Sequence, residues 1–202
     1  NGDDSLVKTA MLEVIALPNG IVRVKEGSNP ICEENRLVLA VSNNQSLPLK
    51  YNWYKMESPW NLLVSDSLLT ITKIALSDSG KYIAILDHRG CLDTTAEFSL
   101  KVWAKPLAKM GYDPNYSPCL RGNKFTFTDQ SMVYNSSIFS RSWKAVSPVK
   151  TATSNAFSQV FSSAGNQTVQ LIVASTEGCL DTETVVVNVK GHPVSQFTFA
   201  KA

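Results

Sequence analysis

The sequence predicts an all-β protein built from two tandem β-sandwiches, and three observations support that prediction. Apolar and polar residues alternate in short runs bounded by Asn, Ser, Pro and Gly, and no stretch has apolar residues at helical spacing. The pentapeptide Gly-Cys-Leu-Asp-Thr occurs twice, at Gly90–Thr94 and Gly178–Thr182. The cysteines repeat as well, because Cys32 and Cys91 recur 87 and 88 positions later as Cys119 and Cys179. A repeat of this length matches a complete small domain carried twice.

Composition excludes several classes of function. The chain has 202 residues, 44% of them hydrophobic, which is enough for two ordinary domain cores. Lys and Arg number 19 against 17 Asp and Glu, so the net charge of +2 does not indicate a nucleic-acid partner. The apolar runs are far shorter than the roughly 20 residues of a membrane helix, so we expect no membrane insertion within this segment.

The predicted strands keep the same rhythm in both halves. Each run is short, rich in β-branched or aromatic residues, and separated from the next by turn residues, which is typical of paired-sheet sandwiches. The predicted strands are Leu37–Val41, Tyr51–Lys55, Leu68–Ile74, Lys81–Leu86 and Glu97–Val102, then Phe125–Thr128, Phe139–Lys144, Phe157–Phe161, Thr168–Ala174 and Thr184–Lys190.

Each copy of the repeat contains two cysteines. Four cysteines allow three pairings, and a duplicated unit that folds by itself favours Cys32 with Cys91 and Cys119 with Cys179. A zinc site is disfavoured because there is no CxxC and the two histidines lie apart; free thiols are the remaining alternative. Disulfides persist in oxidising compartments, so the cysteines predict an extracellular or cell-surface location.

The first copy contains a motif at Asp78-Ser79-Gly80-Lys81-Tyr82. It resembles the immunoglobulin DxGxY motif, in which the tyrosine hydroxyl bonds back to the preceding turn as a tyrosine corner. Trp53 is placed like the core tryptophan of strand C in that family. The positions of the usual inter-sheet bridge are Leu39 and Ala84, so the resemblance implies apolar packing around Trp53 instead.

The second copy resembles a PKD (polycystic kidney disease) domain over most of residues 115–190. The matching segments are Cys119–Gly122, Phe125–Ser131, Ser142-Trp143, Ala164-Gly165, Thr168–Val173 and Gly178-Cys179. The acidic loop that follows the family's tryptophan is replaced here by Lys144–Pro148, and Gln167 stands where the family has tyrosine. The resemblance therefore implies a seven-stranded sandwich but no function tied to that loop.

Modules of these two kinds are similar to those strung together in surface and secreted proteins of Bacteroidota. The resemblance implies gliding-type adhesins or cargo of the type IX secretion route. In that setting the partners are neighbouring modules of the same chain, and a surface glycan or another protein joined by strand pairing is a further expectation.

The prolines predict the joints between modules. Pro18, Pro106 and Pro193 recur at intervals of 88 and 87, and proline stiffens a connection and interrupts strand pairing. The prolines predict a division into four segments: residues 1–18 as the trailing strand of a preceding module, 19–104 as an immunoglobulin-like domain, 105–191 as a PKD-like domain and 192–202 as the start of a following module. The alternative makes residues 1–17 an extra edge strand of the first domain.

Candidate ligand sites are few. Trp60, Tyr112 and Tyr116 lie in turn-like sequence, where an aromatic ring stacks on a sugar or caps the edge of a core. Asp113, Asn115 and Asp129 offer oxygen ligands for calcium, but Asx turns explain them equally well, and no cofactor is expected.

Catalytic residue types are present only in scattered form. Asp87 and His88 with Ser77 or Ser79 offer the types of a catalytic triad, yet His88 is expected in a solvated hairpin turn. We therefore expect no enzyme. The sequence predicts a non-catalytic spacer of a long multi-domain adhesin or secreted protein, and the alternative is a carbohydrate-binding module.

Overall fold

The computed structural model describes residues 14–43, 46–146, 148–193 and 196. The predicted all-β class is confirmed, because the described residues form strands and one short 3₁₀ turn. None of the described segments is a helix with the length and apolar character to cross a membrane. The chain divides into two units, Asn1–Val102 and Trp103–Ala202, and each is described by itself.

The first unit is a sandwich of two antiparallel sheets. One sheet has the order β1-β3-β6, and the other has the order β5-β4-β7 with both β8 and β9 paired to β7. The strands are β1 (Ile21–Glu26), β2 (Ile31–Cys32), β3 (Leu37–Ser42), β4 (Lys50–Lys55), β5 (Asn61–Val64), β6 (Leu68–Ile71), the 3₁₀ turn η1 (Leu76–Asp78), β7 (Gly80–His88), β8 (Cys91–Thr94) and β9 (Phe98–Leu100), and β10 (Val102–Trp103) lies at the unit boundary.

Strands β8 and β9 are two parts of one interrupted strand. β8 pairs with the half of β7 that ends at His88, and β9 pairs with the half that begins at Gly80. At the interruption, the hydroxyl of buried Thr95 accepts the N–H of Ala84 at 3.0 Å, and the Thr95 N–H donates to the Ala84 carbonyl at 3.0 Å. With β8 and β9 counted as one strand, the two sheets contain seven strands, as the sequence predicts.

The second unit repeats this topology with seven strands. Its sheets have the orders β11-β12-β15 and β14-β13-β16-β17, so each strand has a counterpart at the same place in the first unit. Its strands are β11 (Met110–Gly111), β12 (Phe125–Asp129), β13 (Ile138–Val146), β14 (Val149–Ala152), β15 (Ala156–Gln159), β16 (Gly165–Ser175) and β17 (Leu180–Val189). The sequence repeat is thus also a structural repeat.

Each core is built around one tryptophan. Trp53 on β4 and Trp143 on β13 are fully buried, and their indole N–H groups donate to the carbonyl oxygens of Asp66 at 3.0 Å and Ser154 at 2.8 Å. A buried indole N–H without an acceptor costs about 1–3 kcal/mol, so this hydrogen bond is part of the core's stability. The residues packed around the two tryptophans include Leu37, Leu39, Tyr82, Ala84 and Leu86 in the first unit and Phe125, Phe127, Phe157, Leu171 and Val187 in the second.

Apolar packing occupies the position of the usual inter-sheet bridge in the first unit. Leu39 on β3 and Ala84 on β7 are both fully buried in the cluster that contains Trp53. Ala84 is also the direct cross-strand neighbour of Trp53. The small Ala84 side chain leaves room for the indole ring, so this core holds its two sheets together without a sulfur crosslink.

The predicted disulfide pairing is wrong. Cys91 and Cys119 are free cysteines, whereas Cys32 and Cys179 are disulfide-bonded. Neither predicted pair, Cys32 with Cys91 or Cys119 with Cys179, is therefore formed.

The reason lies in the last strand of each sandwich, which separates the two cysteines of a unit. Cys91 begins β8, and the N–H of Ile31, next to Cys32, donates to the carbonyl of Lys101 beyond the end of β9. From Cys91 to Lys101 the chain advances ten residues in nearly extended conformation, so it spans about 30 Å at about 3.3 Å per residue. Disulfide-bonded cysteines have Cα atoms at most about 7 Å apart. The two cysteines cannot reach each other.

The second unit has the same arrangement. Cys179 immediately precedes β17. Cys119 pairs through its backbone, in an isolated parallel β-bridge, with Lys190, the residue immediately after β17. We call Cys91 and Cys179 the turn cysteines, because they lie at the turn where the last strand begins, and Cys32 and Cys119 the strand-end cysteines.

Much of the predicted terminal segments lies outside the described residues. Residues 14–20 form no strand, and residues 1–13 of the predicted trailing strand are not among those described. Of the predicted following module, only residues 192, 193 and 196 are described. The joints at Pro18, Pro106 and Pro193 stay predictions.

We expect Trp53→Phe to lower the free energy of unfolding of the first unit by about 2 kcal/mol, because the smaller ring leaves a cavity and orphans the Asp66 carbonyl. Guanidinium unfolding followed by circular dichroism measures the loss. Trp60→Phe, at an exposed indole, is the matched control and should change the value by less than about 0.5 kcal/mol. Equal losses in both variants would contradict the role assigned to the buried indole.

Candidate functional site

The repeated Gly-Cys pair begins the last strand of each sandwich. Gly90 and Gly178 have φ angles of 89° and 83°, in the left-handed region that favours glycine. In the first unit the turn is closed by Asp87, whose carboxylate accepts the Gly90 N–H at 2.7 Å. The glycine thus reverses the chain, and the cysteine that follows is held at one end of the sandwich.

The aspartate of the second Gly-Cys-Leu-Asp-Thr copy has a structural role. Asp181 accepts the N–H of Ala108 at 2.8 Å and pairs with the ammonium of Lys105 at 3.0 Å. Burial alone would raise the pKa of the Asp181 carboxyl, but these two partners outweigh it and hold that pKa below its usual range. The carboxylate therefore ties the start of β17 to the first segment of its unit.

The Asp78–Tyr82 motif forms a tyrosine corner. The buried Tyr82 hydroxyl donates to the Asp78 carbonyl at 2.7 Å, and the Asp78 carboxylate accepts the N–H of Ala75 at 2.8 Å. Gly80 begins β7 between them. Burial, reinforced by the negative charge of Asp78, raises the pKa of Tyr82 well above its usual value. The Tyr82 hydroxyl therefore stays protonated and continues to donate its hydrogen bond to the Asp78 carbonyl.

The residues of triad type do not form a catalytic group. His88 is buried at the end of β7, and its Nδ1 lies 3.1 Å from the Pro48 carbonyl, so the expectation of a solvated histidine is wrong. Ser77 and Ser79 both precede the opposite end of the same strand, which is nine residues long. The β7 strand of about 26 Å therefore separates the His88 ring from both hydroxyls.

Trp60 is the most exposed of the aromatic candidates. Its side chain is 52% exposed at the start of β5, and its ring centroid lies 6.3 Å from that of Tyr54 at a tilted angle. β5 is an edge strand, and it also exposes Leu62 and Leu63. This part of the sheet therefore presents an indole face, two leucines and unpaired backbone groups of an edge.

Tyr112 and Tyr116 cap the core of the second unit. Tyr112 is partly buried, 6.0 Å from Phe127 between ring centroids, and Tyr116 packs edge-on against Phe125 at 5.2 Å. Tyr116 nevertheless keeps 41% of its surface exposed. Their rings are mainly engaged by the phenylalanines of the core.

The oxygen-bearing side chains considered for calcium are engaged in local hydrogen bonds. Asp113 accepts the N–H of Asn115 at 2.9 Å in an Asx turn. Asp129 accepts the N–H of Ser131 at 2.9 Å and pairs with the Arg141 guanidinium at 2.6 Å. Across the described ranges, no group of three or more His, Cys, Asp or Glu side chains is placed to hold a metal ion.

The pKa of Asp129 lies below its usual range. Burial alone would raise it, but the hydrogen bonds from Ser131 and the charge of Arg141 have the larger combined effect. The ion pair is well shielded, because only 5% of the Asp129 side chain is exposed.

Sequence reasoning missed Asn123 as a structural residue. It is buried, its amide donates to the carbonyls of Leu120 and Phe161, and its oxygen accepts the Phe161 N–H at 2.8 Å. Its hydrogen bonds join chain segments 38 residues apart, and no local pattern in the sequence indicates that pairing.

Comparison with solved structures gives β-sandwich modules. The chain is similar to the PKD1 domain of Epp from Vibrio anguillarum, with 20% identity over 44% of this chain and 96% of that one and a TM-score of 0.37. It is similar to the fibronectin(III)-like modules of CbhA from Clostridium thermocellum, with 13% identity, 90% and 100% coverage and a TM-score of 0.39.

The N-terminal four Ig domains of Dscam1 isoform 6.9 are also similar, with 20% identity over 89% of this chain and 48% of that one and a TM-score of 0.36. No protein-family model matches the sequence, and no curated protein sequence matches it. The assignment to immunoglobulin-like sandwiches therefore rests on the strand order and the core described above.

Two thiols should react in the oxidised chain. We expect Ellman's reagent to find two per denatured, unreduced molecule, and mass spectrometry after alkylation to place them at Cys91 and Cys119. Full reduction should raise the number to four, and Cys91→Ser should lower it to one before reduction. A count of zero or four in the unreduced chain would contradict this assignment.

The second unit should lose stability in acid partly through Asp129. Because its folded pKa is depressed, its contribution is fully present above the unfolded pKa of about 3.9 and is lost as pH falls through the lower folded pKa. Between about pH 6 and pH 3, urea unfolding should show a smaller loss for Asp129→Asn than for the wild type. The loss of stability in Arg141→Met should lie between that of the wild type and that of Asp129→Asn. A loss in Asp129→Asn equal to that of the wild type would be inconsistent with the proposed linkage.

Proposed function

We propose that the chain is a non-catalytic spacer segment of a long, multi-domain cell-surface adhesin or secreted protein. Its two sandwiches separate distal binding or catalytic domains from their point of attachment. The observation that carries the proposal is the duplication itself, because both units have the same strand order and the same buried indole hydrogen bond. A repeated self-contained module adds length to a chain without requiring a ligand.

The polar side chains support a structural role. His88, Asp129 and Asp181 each form hydrogen bonds or ion pairs that hold parts of their own sandwich together. A nucleophile, a general base and an oxyanion-stabilising group gathered in one cleft would instead favour an enzyme. His88, Asp129 and Asp181 instead stabilise loops and strand ends of their own sandwich.

The location and biological setting are part of the same proposal. Disulfide-bonded Cys32 and Cys179 favour an oxidising compartment, so the segment is extracellular or displayed at the cell surface. The resemblance of its sequence to modules of Bacteroidota surface proteins favours a gliding-type adhesin or cargo of the type IX secretion route. Its partners are then neighbouring modules of the same chain.

Trp60 favours a second candidate function, carbohydrate binding. A half-exposed indole beside Leu62 at a sheet edge is an arrangement on which a sugar ring stacks. Tyr112 and Tyr116 are weaker stacking candidates, because core phenylalanines already engage their rings. The same edge strand also offers backbone groups for pairing with a strand of another protein.

A glycan array decides between the two candidates. A spacer should give no signal above that of a denatured sample, for the wild type and for Trp60→Ala alike. Binding by the wild type that is lost in Trp60→Ala but kept in Tyr134→Ala would overturn the spacer role in favour of carbohydrate binding. Tyr134 is the matched control because it is an exposed aromatic of the other unit.

A further inference from the structure

The larger sheet of the first unit has apolar side chains on both of its faces. On the inner face, Trp53 and Ala84 belong to the buried core. Tyr54 and Ile83 follow the opposite face, because successive side chains of a strand alternate, and they are direct cross-strand neighbours on β4 and β7. Ile83 is only 2% exposed, although it lies outside the core cluster around Trp53. The outer face therefore has an apolar layer of its own.

This layer continues across the sheet as a stripe. Leu62 on β5 is paired with Tyr54, and the Trp60 ring centroid lies 6.3 Å from that of Tyr54. Towards the other end of β7, Leu92 on β8 is paired with Asp87. Trp60, Leu62 and Leu92 are 52%, 51% and 61% exposed. We call this set the apolar stripe, and its members are Trp60, Leu62, Tyr54, Ile83, Ile85 and Leu92.

The same positions in the second unit are polar. The two core tryptophans align the sheets of the two units, and the residue pair that follows is Tyr54 with Ile83 in the first unit and Lys144 with Gln170 in the second. The edge-strand partner of Lys144 is Thr151, where the first unit has a leucine. A sandwich of this topology thus folds with a polar outer face, so the fold itself does not require the apolar stripe.

Charged side chains border the apolar stripe in pairs of opposite sign. Lys81 pairs with Glu97 at 2.6 Å. Lys50 lies directly opposite Asp87 on the neighbouring strand. Because these four charges cancel within one copy, bringing the face against an identical face costs little like-charge repulsion. The same cancellation gives a strongly acidic or basic partner no complementary charge to bind.

The size of this face fits a weak contact. Four strands at about 4.8 Å and about six residues at about 3.3 Å give a face of about 19 Å by 20 Å, or about 400 Å² on each copy. Twice that area lies below the roughly 1,200 Å² of stable interfaces. Contact through this face is therefore reversible, and it becomes significant where modules are concentrated to about the millimolar range.

We propose that the apolar stripe is a self-association surface, which packs against the apolar stripe of a second copy of this chain about a two-fold axis. Such a contact requires a surface that complements itself. The stripe meets this requirement because exposed apolar side chains lie at both of its ends, Trp60 and Leu62 at one and Leu92 at the other. Lateral joining of copies goes beyond the spacer role and does not depend on it.

Sedimentation equilibrium of the full chain measures this association. The Cys91→Ser, Cys119→Ser background removes both free thiols, so a gain in mass reports non-covalent contact. Between about 10 µM and about 1 mM protein, we expect the mean mass to rise from the 22.1 kDa of the monomer towards twice that value.

We expect Leu62→Lys to lower the association constant at least about tenfold, because each of the two facing surfaces then has an additional positive charge. Thr151→Lys, at the matching position of the second unit, is the control and should change the constant less than about twofold. An equimolar mixture of Leu62→Lys and Leu62→Glu should associate more strongly than either variant alone, because opposite charges then meet. This recovery distinguishes pairing of the stripe with itself from pairing with another surface.

A mean mass that stays at the monomer value at the highest concentration would overturn the proposal. Equal losses in Leu62→Lys and Thr151→Lys, or a mixture no stronger than its components, would do the same. Circular dichroism checks that each variant is folded, and Trp60→Ala, at an exposed side chain, replaces Leu62→Lys if that variant is not. The measurement contains no glycan, so its outcome is separate from that of the glycan array.

Discussion

The fold of each unit depends on a buried indole that joins its two sheets. Trp53 lies on β4 of one sheet, and its N–H donates to Asp66 in the segment that leads into β6 of the other sheet. Trp143 on β13 makes the same connection to Ser154 before β15. Large apolar area and one directional hydrogen bond thus act in the same side chain, which fixes the position of one sheet over the other.

Because the indole and its apolar neighbours hold the sheets together, sulfur crosslinks are not needed inside the sandwich. Leu39 and Ala84 fill the place where related sandwiches carry a bridge. The cysteines lie instead at the two ends of the last strand, where they do not contribute to the core packing around Trp53. Their position is set by the length of that strand, and the same length prevents them from pairing within one unit.

Much of this fold is predictable from local sequence pattern. The inner strands β3, β4, β7, β12, β13 and β16 and the edge strand β17 are predictable because each is a short run rich in apolar, β-branched or aromatic residues. The edge strands β5 and β14 were missed, since exposure of most of their residues removes the alternation, and β11 was missed because it has only two residues. β1 was missed although Ile21–Glu26 alternates, and the burial of His88 was missed because its partner, Pro48, is 40 residues away. Equal spacing of the cysteines indicated a repeat but contained no information on which strand ends lie together.

The position of the cysteines separates folding from oxidation. A bridge inside a sandwich restricts the unfolded chain and so contributes to the stability of that sandwich. Cysteines held at opposite ends of a strand give no such contribution to their own unit, so each unit depends on its aromatic core and on fixed loops such as the Asp78–Tyr82 corner. The packing within each sandwich therefore does not depend on a disulfide inside it.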